Sequence, residues 1–277
     1  MLDKNLTRRE FVTKAALAGF ALAVLPLAAS AITTDSSGIM DEDIFIPVGN
    51  EKIPAYQAMP KGKGPFPVLL IAHEIFGVHE FIRDVCRRFA KLGYYAIAPN
   101  LFYRQGDVTK LKDFPDILKI VSKVSNEQVL SDLDATVEFV QASGKGNLEY
   151  LNMTGFCWGG RTTWLYANHN PKLKSAVAWY GPLVGTDPLH PQAPVDIASS
   201  LKVPVLGLYG GLDTHITEAN RKEMEEALKK GTSGSKIIVY PKAEHGFFAD
   251  YRPSYNKDAA EESLKQMLDW IHVHGGV

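Results

Sequence analysis

The sequence predicts a single α/β domain built on a mainly parallel, doubly wound sheet. Apolar, β-prone segments alternate with helix-compatible segments through most of the 277 residues, which is the pattern of a parallel sheet covered by helices on both faces. The chain has no internal repeat and no change of composition over the length of a domain. We therefore expect one domain, with an antiparallel hairpin at its N-terminal end.

Composition and charge narrow the classes of partner. The chain is 45% hydrophobic and 22% charged, with a formal net charge of -1, which is ordinary for a globular protein. No basic surplus exists to neutralise phosphates, so nucleic acid is not an expected partner. Cys86 and Cys157 are the only cysteines, too few for a disulfide framework or for a zinc site of their own. We expect no metal, and we interpret Cys86 as a core residue.

Residues 1–31 are predicted to be a twin-arginine signal peptide. Arg8 and Arg9 form the signature, and an apolar run over 15–29 leads to a small-residue cleavage site that ends at Ala31. The alternative is an uncleaved membrane anchor, but the apolar run is short and contains a glycine and a proline. We expect cleavage after Ala31, no stable membrane anchor, and a periplasmic or secreted protein.

The mature chain is predicted to begin with a linker, residues 32–42, followed by a catalytic domain over 43–277. The first elements of this domain are Ile44–Val48 and Ile53–Met59, which flank a polar turn and indicate a β-hairpin.

The remaining elements alternate between strand and helix. Short apolar runs bounded by turn residues predict buried parallel strands, at residues 68–72, 94–98, 150–154, 175–180, 203–209 and 236–240. Apolar residues at helical spacing and N-terminal capping residues predict the helices, which start near residues 81, 125, 161, 217 and 257. Residues 100–124 lack clean periodicity, and we expect an excursion over the site there.

The stretch Gly155-Phe156-Cys157-Trp158-Gly159 has the spacing of a nucleophile elbow, with cysteine as the nucleophile. The two glycines remove collisions that a sharp turn from strand to helix would otherwise cause. The helix N-terminus then favours the thiolate and supplies backbone N–H donors. Alone, the motif is weak evidence, because a buried cysteine between glycines is also a common structural feature.

Two further side chains strengthen this interpretation. Asp213 follows the strand over 203–209, and His245 follows the strand over 236–240. The carboxyl ends of parallel strands carry functional groups, and the order nucleophile, acid, histidine is that of an α/β-hydrolase triad. The imidazole would generate the thiolate and the aspartate would orient the imidazole. The structural alternatives are a helix cap or turn residue for Asp213 and a loop histidine for His245.

With these residues in place, the chain resembles the dienelactone hydrolase (carboxymethylenebutenolidase) family over residues 41–273. The matching stretches are residues 73–77, 98–102, 155–160, 211–213 and 245–247. The resemblance implies an α/β-hydrolase fold, a Cys157–Asp213–His245 triad, and no metal or organic cofactor.

The resemblance also implies roles for the segment after the first buried strand. Glu74 would contact the resting cysteine and take part in its activation, while the N–H groups of Ile75 and Trp158 would form the oxyanion hole. From the residues alone, Glu74 stands in an apolar setting, where an unpaired carboxylate is costly to bury. We therefore expect it to have a partner, the alternative being a surface loop glutamate.

Substrate recognition is less fully specified. The resemblance implies that arginines bind a substrate carboxylate, and one of them matches Arg104. At the second position this chain has Ala249, and Arg252, three residues on, is the candidate replacement. The other histidines considered show no tight metal spacing and are interpreted as structural or solvated: His73, His79, His215, His272 and His274.

These features favour a cofactor-independent cysteine hydrolase of esters or lactones, with a small acidic unsaturated lactone as the candidate substrate. The alternatives are a thioester or amide hydrolase on the same scaffold and a hydrolase-like module that binds a small acid. A glutamine amidotransferase also uses an elbow cysteine, but its acid and histidine usually lie close together, whereas Asp213 and His245 follow separate strands. The expected assembly is a monomer or a small homo-oligomer.

Overall fold

The computed structural model describes residues 31–276, so the predicted signal peptide lies outside them apart from Ala31. Eight strands form one sheet in the order β1-β2-β4-β3-β5-β6-β7-β8. The strands are β1 (Ile39–Val48), β2 (Glu51–Pro60), β3 (Phe66–Ala72), β4 (Tyr95–Pro99), β5 (Gly146–Phe156), β6 (Ser175–Trp179), β7 (Val205–Gly210) and β8 (Lys236–Tyr240).

Seven α-helices and two 3₁₀ turns, Val108–Lys110 and Ala198–Ser200, complete the described part of the chain. The helices are α1 (Glu80–Lys91), α2 (Phe114–Val121), α3 (Asn126–Ser143), α4 (Trp158–His169), α5 (Pro194–Ile197), α6 (Glu218–Leu228) and α7 (Lys257–Gly275). Between residues 31 and 276, no helix is long and apolar enough to cross a membrane.

The N-terminal hairpin is present, and it is longer than predicted. β1 and β2 pair antiparallel around a two-residue turn at Gly49 and Asn50, where Gly49 adopts a left-handed backbone with φ +59°. β1 begins at Ile39, which is buried and pairs with Pro60. Residues 39–42, predicted as linker, therefore belong to the sheet, because backbone pairing continues past the apolar residues that the pattern detects.

The other strands lie in a mainly parallel arrangement that aligns their carboxyl ends. β2 pairs antiparallel with β4, and every pairing from β4 through β3 to β8 is parallel. Helices α1 and α7 pack on one face of this sheet, and α3, α4 and α6 pack on the other. The predicted doubly wound, single-domain α/β fold is confirmed, and the ends of β5, β7 and β8 meet at one edge.

Two helices were not predicted, α2 and the four-residue α5. Within residues 100–124, α2 spans Phe114–Val121, with a proline in its first turn and with Ile117 and Val121 buried one turn apart. Two buried apolar residues are too few to produce a recognisable helical periodicity in the sequence. A proline in the first turn is nevertheless common in helices. Cys86 lies in α1 and is fully buried, as predicted, and burial raises the pKa of its thiol.

Candidate active site

Cys157 occupies a sharp turn between β5 and α4. Its backbone is left-handed, with φ +56°, and its N–H donates to the carbonyl of Trp179 at 3.0 Å. A β-carbon on Gly155 would lie 2.2 Å from the carbonyl oxygen of Gly159, and one on Gly159 would lie 2.1 Å from the carbonyl oxygen of Ala72. Both positions therefore require glycine, as the elbow interpretation supposed.

Asp213 and His245 meet at the ends of β7 and β8. The Nδ1 atom of His245 lies 2.8 Å from Oδ2 of Asp213, whose side chain is buried. The other carboxylate oxygen accepts the backbone N–H groups of His215 and Ile216. Asp213 therefore accepts backbone hydrogen bonds in the turn after β7 and also holds the imidazole of His245. Burial opposes its ionisation, but these hydrogen bonds, led by that to His245, lower its pKa.

The second nitrogen of His245 is available for chemistry. Nε2 is buried and has no hydrogen-bond partner among the described residues. Burial alone would lower the pKa of this imidazole, but the influence of Cys157 and of Asp213 outweighs it and raises the pKa to about 9. The site therefore favours an imidazolium within electrostatic reach of the Cys157 sulfur.

Glu74 follows β3 and is completely buried. Its Oε1 accepts a hydrogen bond from Nη2 of Arg252 at 2.7 Å, and its Oε2 accepts one from the hydroxyl of Tyr251 at 2.7 Å and lies 3.2 Å from Nε2 of His79. Burial would raise the pKa of this carboxyl, but Arg252, His79 and Tyr251 together lower it to about 2. The expected partner of this carboxylate is thus a buried arginine.

Arg104 is already paired with carboxylates of the chain itself. Two guanidinium nitrogens hold both oxygens of Asp132 at 2.7 and 2.8 Å, and its Nε donates to Glu51 at 2.7 Å. This bidentate pair joins the segment after β4 to α3. The role of Arg104 in holding a substrate carboxylate therefore stays a prediction, and so does that of Arg252, whose charge is paired with Glu74.

Tyr180, just past the end of β6, is a site residue that the sequence analysis missed. It is fully buried, its backbone is left-handed with φ +38°, and its hydroxyl has no partner in the described part of the chain. Its ring meets that of His245 edge-on at 5.1 Å between centroids. Desolvation and the charges of Glu74 and neighbouring groups raise the pKa of its hydroxyl far above the usual value. The strand-end rule that found Asp213 would also have found Tyr180.

Comparison with known proteins agrees with this architecture. The model of the dienelactone hydrolase family matches residues 53–275. A Methylorubrum extorquens protein named "Putative carboxymethylenebutenolidase" is 51% identical over 274 residues, which cover 98% of this chain and 94% of that protein. A protein of the same name from Escherichia coli K12 is 49% identical over 261 residues, 93% of this chain and 96% of that protein.

A solved structure gives the same result. The crystal structure of a "Putative Dienelactone Hydrolase" from Klebsiella pneumoniae is 49% identical, with a TM-score of 0.82, and the match covers 84% of this chain and 98% of that one. The chain belongs to the dienelactone hydrolase family. The predicted family and the prediction that the protein is a hydrolase are both confirmed.

In this dienelactone hydrolase family member, the oxyanion role of the N–H groups of Ile75 and Trp158 stays a prediction. The N–H of Trp158 is the first of helix α4, where it has no partner within the helix. Neither it nor the N–H of Ile75 donates a hydrogen bond to another described residue outside the regular elements. Ile75 follows β3 and Trp158 follows β5, so both groups lie at the edge of the sheet where these strands end.

The family resemblance implied a contact between Glu74 and Cys157, and the structure shows a different pairing. Between residues 31 and 276, the hydrogen bonds of Glu74 go to Arg252, Tyr251 and His79, and none goes to Cys157. A guanidinium compensates a buried carboxylate far better than a thiol does. Tyr251, 177 residues away along the chain, and His79, 5 residues away, were not predicted as partners of Glu74.

His73 orients the loop that carries Glu74. Its Nδ1 lies 2.7 Å from the carbonyl oxygen of Glu74, and its Nε2 accepts the backbone N–H of Leu101 at 3.0 Å. Complete burial lowers its pKa to about 4, so the ring is neutral at ordinary pH. This agrees with its interpretation as a structural histidine. The described residues contain no group of three or more His, Cys, Asp or Glu side chains that could hold a metal ion.

Proposed function

We propose that this protein is a cofactor-independent hydrolase of ester or lactone bonds in which Cys157, His245 and Asp213 form the catalytic triad. The observation that supports the proposal most is the buried, unpartnered Nε2 of His245, in an imidazole whose other nitrogen is held by Asp213. An imidazole that is oriented on one side and can take the proton of the thiol on the other is what a nucleophilic cysteine requires.

In the proposed reaction, the Cys157 thiolate attacks the carbonyl carbon and forms a carbon–sulfur bond. The negative charge moves to the carbonyl oxygen, where the N–H groups of Ile75 and Trp158 would stabilise it. The carbon–oxygen bond of the ester then breaks, and the imidazolium of His245 protonates the leaving oxygen. In a lactone this oxygen stays attached to the acyl group.

The second half of the reaction regenerates the enzyme. Neutral His245 removes a proton from water as the water attacks the thioester carbon, and the carbon–sulfur bond breaks to release the acid and the thiolate. Asp213 keeps Nδ1 protonated throughout and stabilises each imidazolium. No step in this sequence requires a metal or an organic cofactor.

Cys157→Ala tests the proposal on the mature protein with a panel of chromogenic acyl esters and unsaturated lactones. Loss of the nucleophile should lower kcat by several orders of magnitude, as in other unit-acting triads. Rapid-quench mass spectrometry should show an acyl adduct on the parent protein and none on the variant. Activity within about tenfold of the parent would refute the triad, and tight product binding without turnover by the parent would favour a binding module.

We further propose export by the twin-arginine route to the periplasm or the exterior. The support is the signature at Arg8 and Arg9 followed by an apolar run and the small residues before Ile32. Mass spectrometry of the exported protein should find an N-terminus near Ile32. Replacing Arg8 and Arg9 together by lysine should retain the chain in the cytoplasm. A full-length cytoplasmic chain as the sole form in the parent strain would contradict the proposal.

A further inference from the structure

A cavity of about 390 Å³ opens against Trp158, the residue that follows Cys157. Its walls are mainly apolar and come from Leu118 and Val121 of α2, from Trp158, and from Pro182 and Val184 in the loop after β6. Its size lies within the range of small-molecule sites. Trp158 directly follows Cys157, so a molecule in this cavity would lie against the start of α4.

One cation lines this cavity. Arg161 stands one turn after Cys157 on α4, and its backbone N–H donates to the Cys157 carbonyl at 3.2 Å. Its side chain is largely buried, with 8% of the residue exposed. The guanidinium donates to the backbone carbonyls of Gly185 at 3.0 Å and Gln192 at 2.9 Å, with a longer contact to Val184. Neutral dipoles thus hold this cation, and no carboxylate of the described residues lies within ion-pair distance of it.

The acidic groups near Arg161 are engaged elsewhere. Asp187 lies at the rim, where it pairs with Nδ1 of His190 at 2.8 Å and accepts the N–H groups of Leu189 and His190. Asp196 accepts the N–H of Ala193. Buried charges are normally paired, and burial lowers the pKa of Arg161 because its charge is incompletely compensated.

We propose that this cavity is a substrate subsite for a carboxylate, in which Arg161 holds the anion and the apolar walls hold the carbon skeleton that carries it. The inference rests on the proposed function and names the class of its substrate, an acidic ester or lactone with an apolar body. Because Arg161 and Cys157 share one helical turn, the bound carboxylate would fix the distance between itself and the scissile bond.

The other arginines near the site are less suited to this role. The guanidinium of Arg104 holds both oxygens of Asp132, and that of Arg252 is paired with Glu74. A substrate anion would have to displace a carboxylate of the chain to reach either of them. At Arg161 it would compete with no carboxylate of residues 31–276 at ion-pair distance.

The test introduces a carboxylate into the cavity without altering Arg161. Ser122 lines the cavity at the end of α2 and is exposed, so Ser122→Asp should fold normally. The substrates are two aryl esters with the same apolar acyl chain, ending in a carboxylate or in a carboxamide. Ser122→Asp should lower kcat/KM for the acid by about tenfold or more through repulsion and competition for Arg161, and should change that for the amide less than about twofold. Ser199→Asp adds the same charge on an exposed turn outside the cavity and should change neither.

A second pair of variants tests the cation itself. Arg161→Met should raise KM for the acid ester about tenfold or more relative to the amide, whereas Arg104→Met should affect both esters alike. If Arg161→Met does not fold, the result with Ser122→Asp decides whether the proposal holds. Equal loss on both esters in Ser122→Asp, or acid selectivity lost in Arg104→Met, would overturn the proposal.

Binding without turnover separates this proposal from the catalytic one. Calorimetry with the Cys157→Ala protein should show that 3-phenylpropanoate binds and that its amide binds at least about tenfold more weakly. Ser122→Asp in that background should abolish the difference. If the parent hydrolyses neither ester but this selectivity is found, the proposed function fails and the subsite stands. If the amide ester is hydrolysed and no selectivity for the carboxylate is found, the subsite alone fails.

Discussion

Replacing Glu74 by glutamine tests the buried ion pair at the site. The pKa of this carboxyl is about 2 against an ordinary 4.5, which corresponds to about 3 kcal/mol of folding free energy at neutral pH. Glutamine keeps the volume but leaves the buried Arg252 without its counter-charge. For a domain of this size, the midpoint of thermal unfolding should fall by about 6–12 °C. Glu138→Gln on the exposed face of α3 is the matched control and should leave the midpoint unchanged.

The same substitution has a predicted pH dependence. Because the folded-state pKa is depressed, the stabilisation is complete above the unfolded value of 4.5 and is lost as pH falls toward 2. Urea unfolding at several pH values should therefore show a gap between parent and variant that is widest near neutrality and closes in acid. A gap that is absent at pH 7, or that persists undiminished near pH 2, would refute this reasoning.

A second measurement on Glu74→Gln addresses the nucleophile. Arg252 lies within electrostatic reach of Cys157, and the amide would leave this cation without its counter-charge, which should make the sulfur more reactive. Alkylation of Cys157 by iodoacetamide at neutral pH should become faster, while kcat falls because the cluster around Arg252 loses its fixed arrangement. If both the alkylation rate and kcat equal those of the parent, Glu74 has only a structural role.

Three further substitutions have defined outcomes. Arg104→Ala should lower the free energy of unfolding in urea by about 3 kcal/mol or more, because buried Asp132 loses its bidentate partner; an unchanged midpoint would contradict this. Tyr180→Phe removes a buried hydroxyl that has no described partner, so thermal stability should be unchanged or higher, and a clear loss would mean that the hydroxyl is bonded. Cys157→Ala should lower the pKa of His245 from about 9, because burial lowers this pKa and the opposing interaction with the Cys157 sulfur is removed. An NMR titration of the imidazole measures the change, and an unchanged pKa would contradict the prediction.

The main residues of the candidate site could be predicted from the sequence because their positions depend on local features of the chain. The elbow at Cys157 depends on glycines two residues away on each side, and Asp213 and His245 each follow their own strand by a few residues. Such short-range rules identify positions at one edge of a parallel sheet without any knowledge of tertiary contacts.

The partners of these residues depended on the tertiary structure and could not be predicted in this way. Glu74 was expected to have a partner, but the bonds from Tyr251 and Arg252 span 177 and 178 residues. Arg104 was expected at the site, but Asp132 lies on α3, whose packing no local pattern specifies. Arg161 was noted only as the start of a helix, because a cation that lacks a carboxylate is recognised only when its neighbours are known.

Because of the left-handed backbone at position 157, the residue that would be most stable there differs from the residue that activity needs. A non-glycine residue in such a sparsely populated backbone region costs about 1–3 kcal/mol, and the nucleophile is held at φ +56°. Glycine at position 157 would remove that cost and the reactive sulfur together. In a population selected only for resistance to heat, we expect this position to drift toward glycine, whereas selection for turnover retains cysteine. Screens that improve this scaffold should therefore measure catalysis in every round.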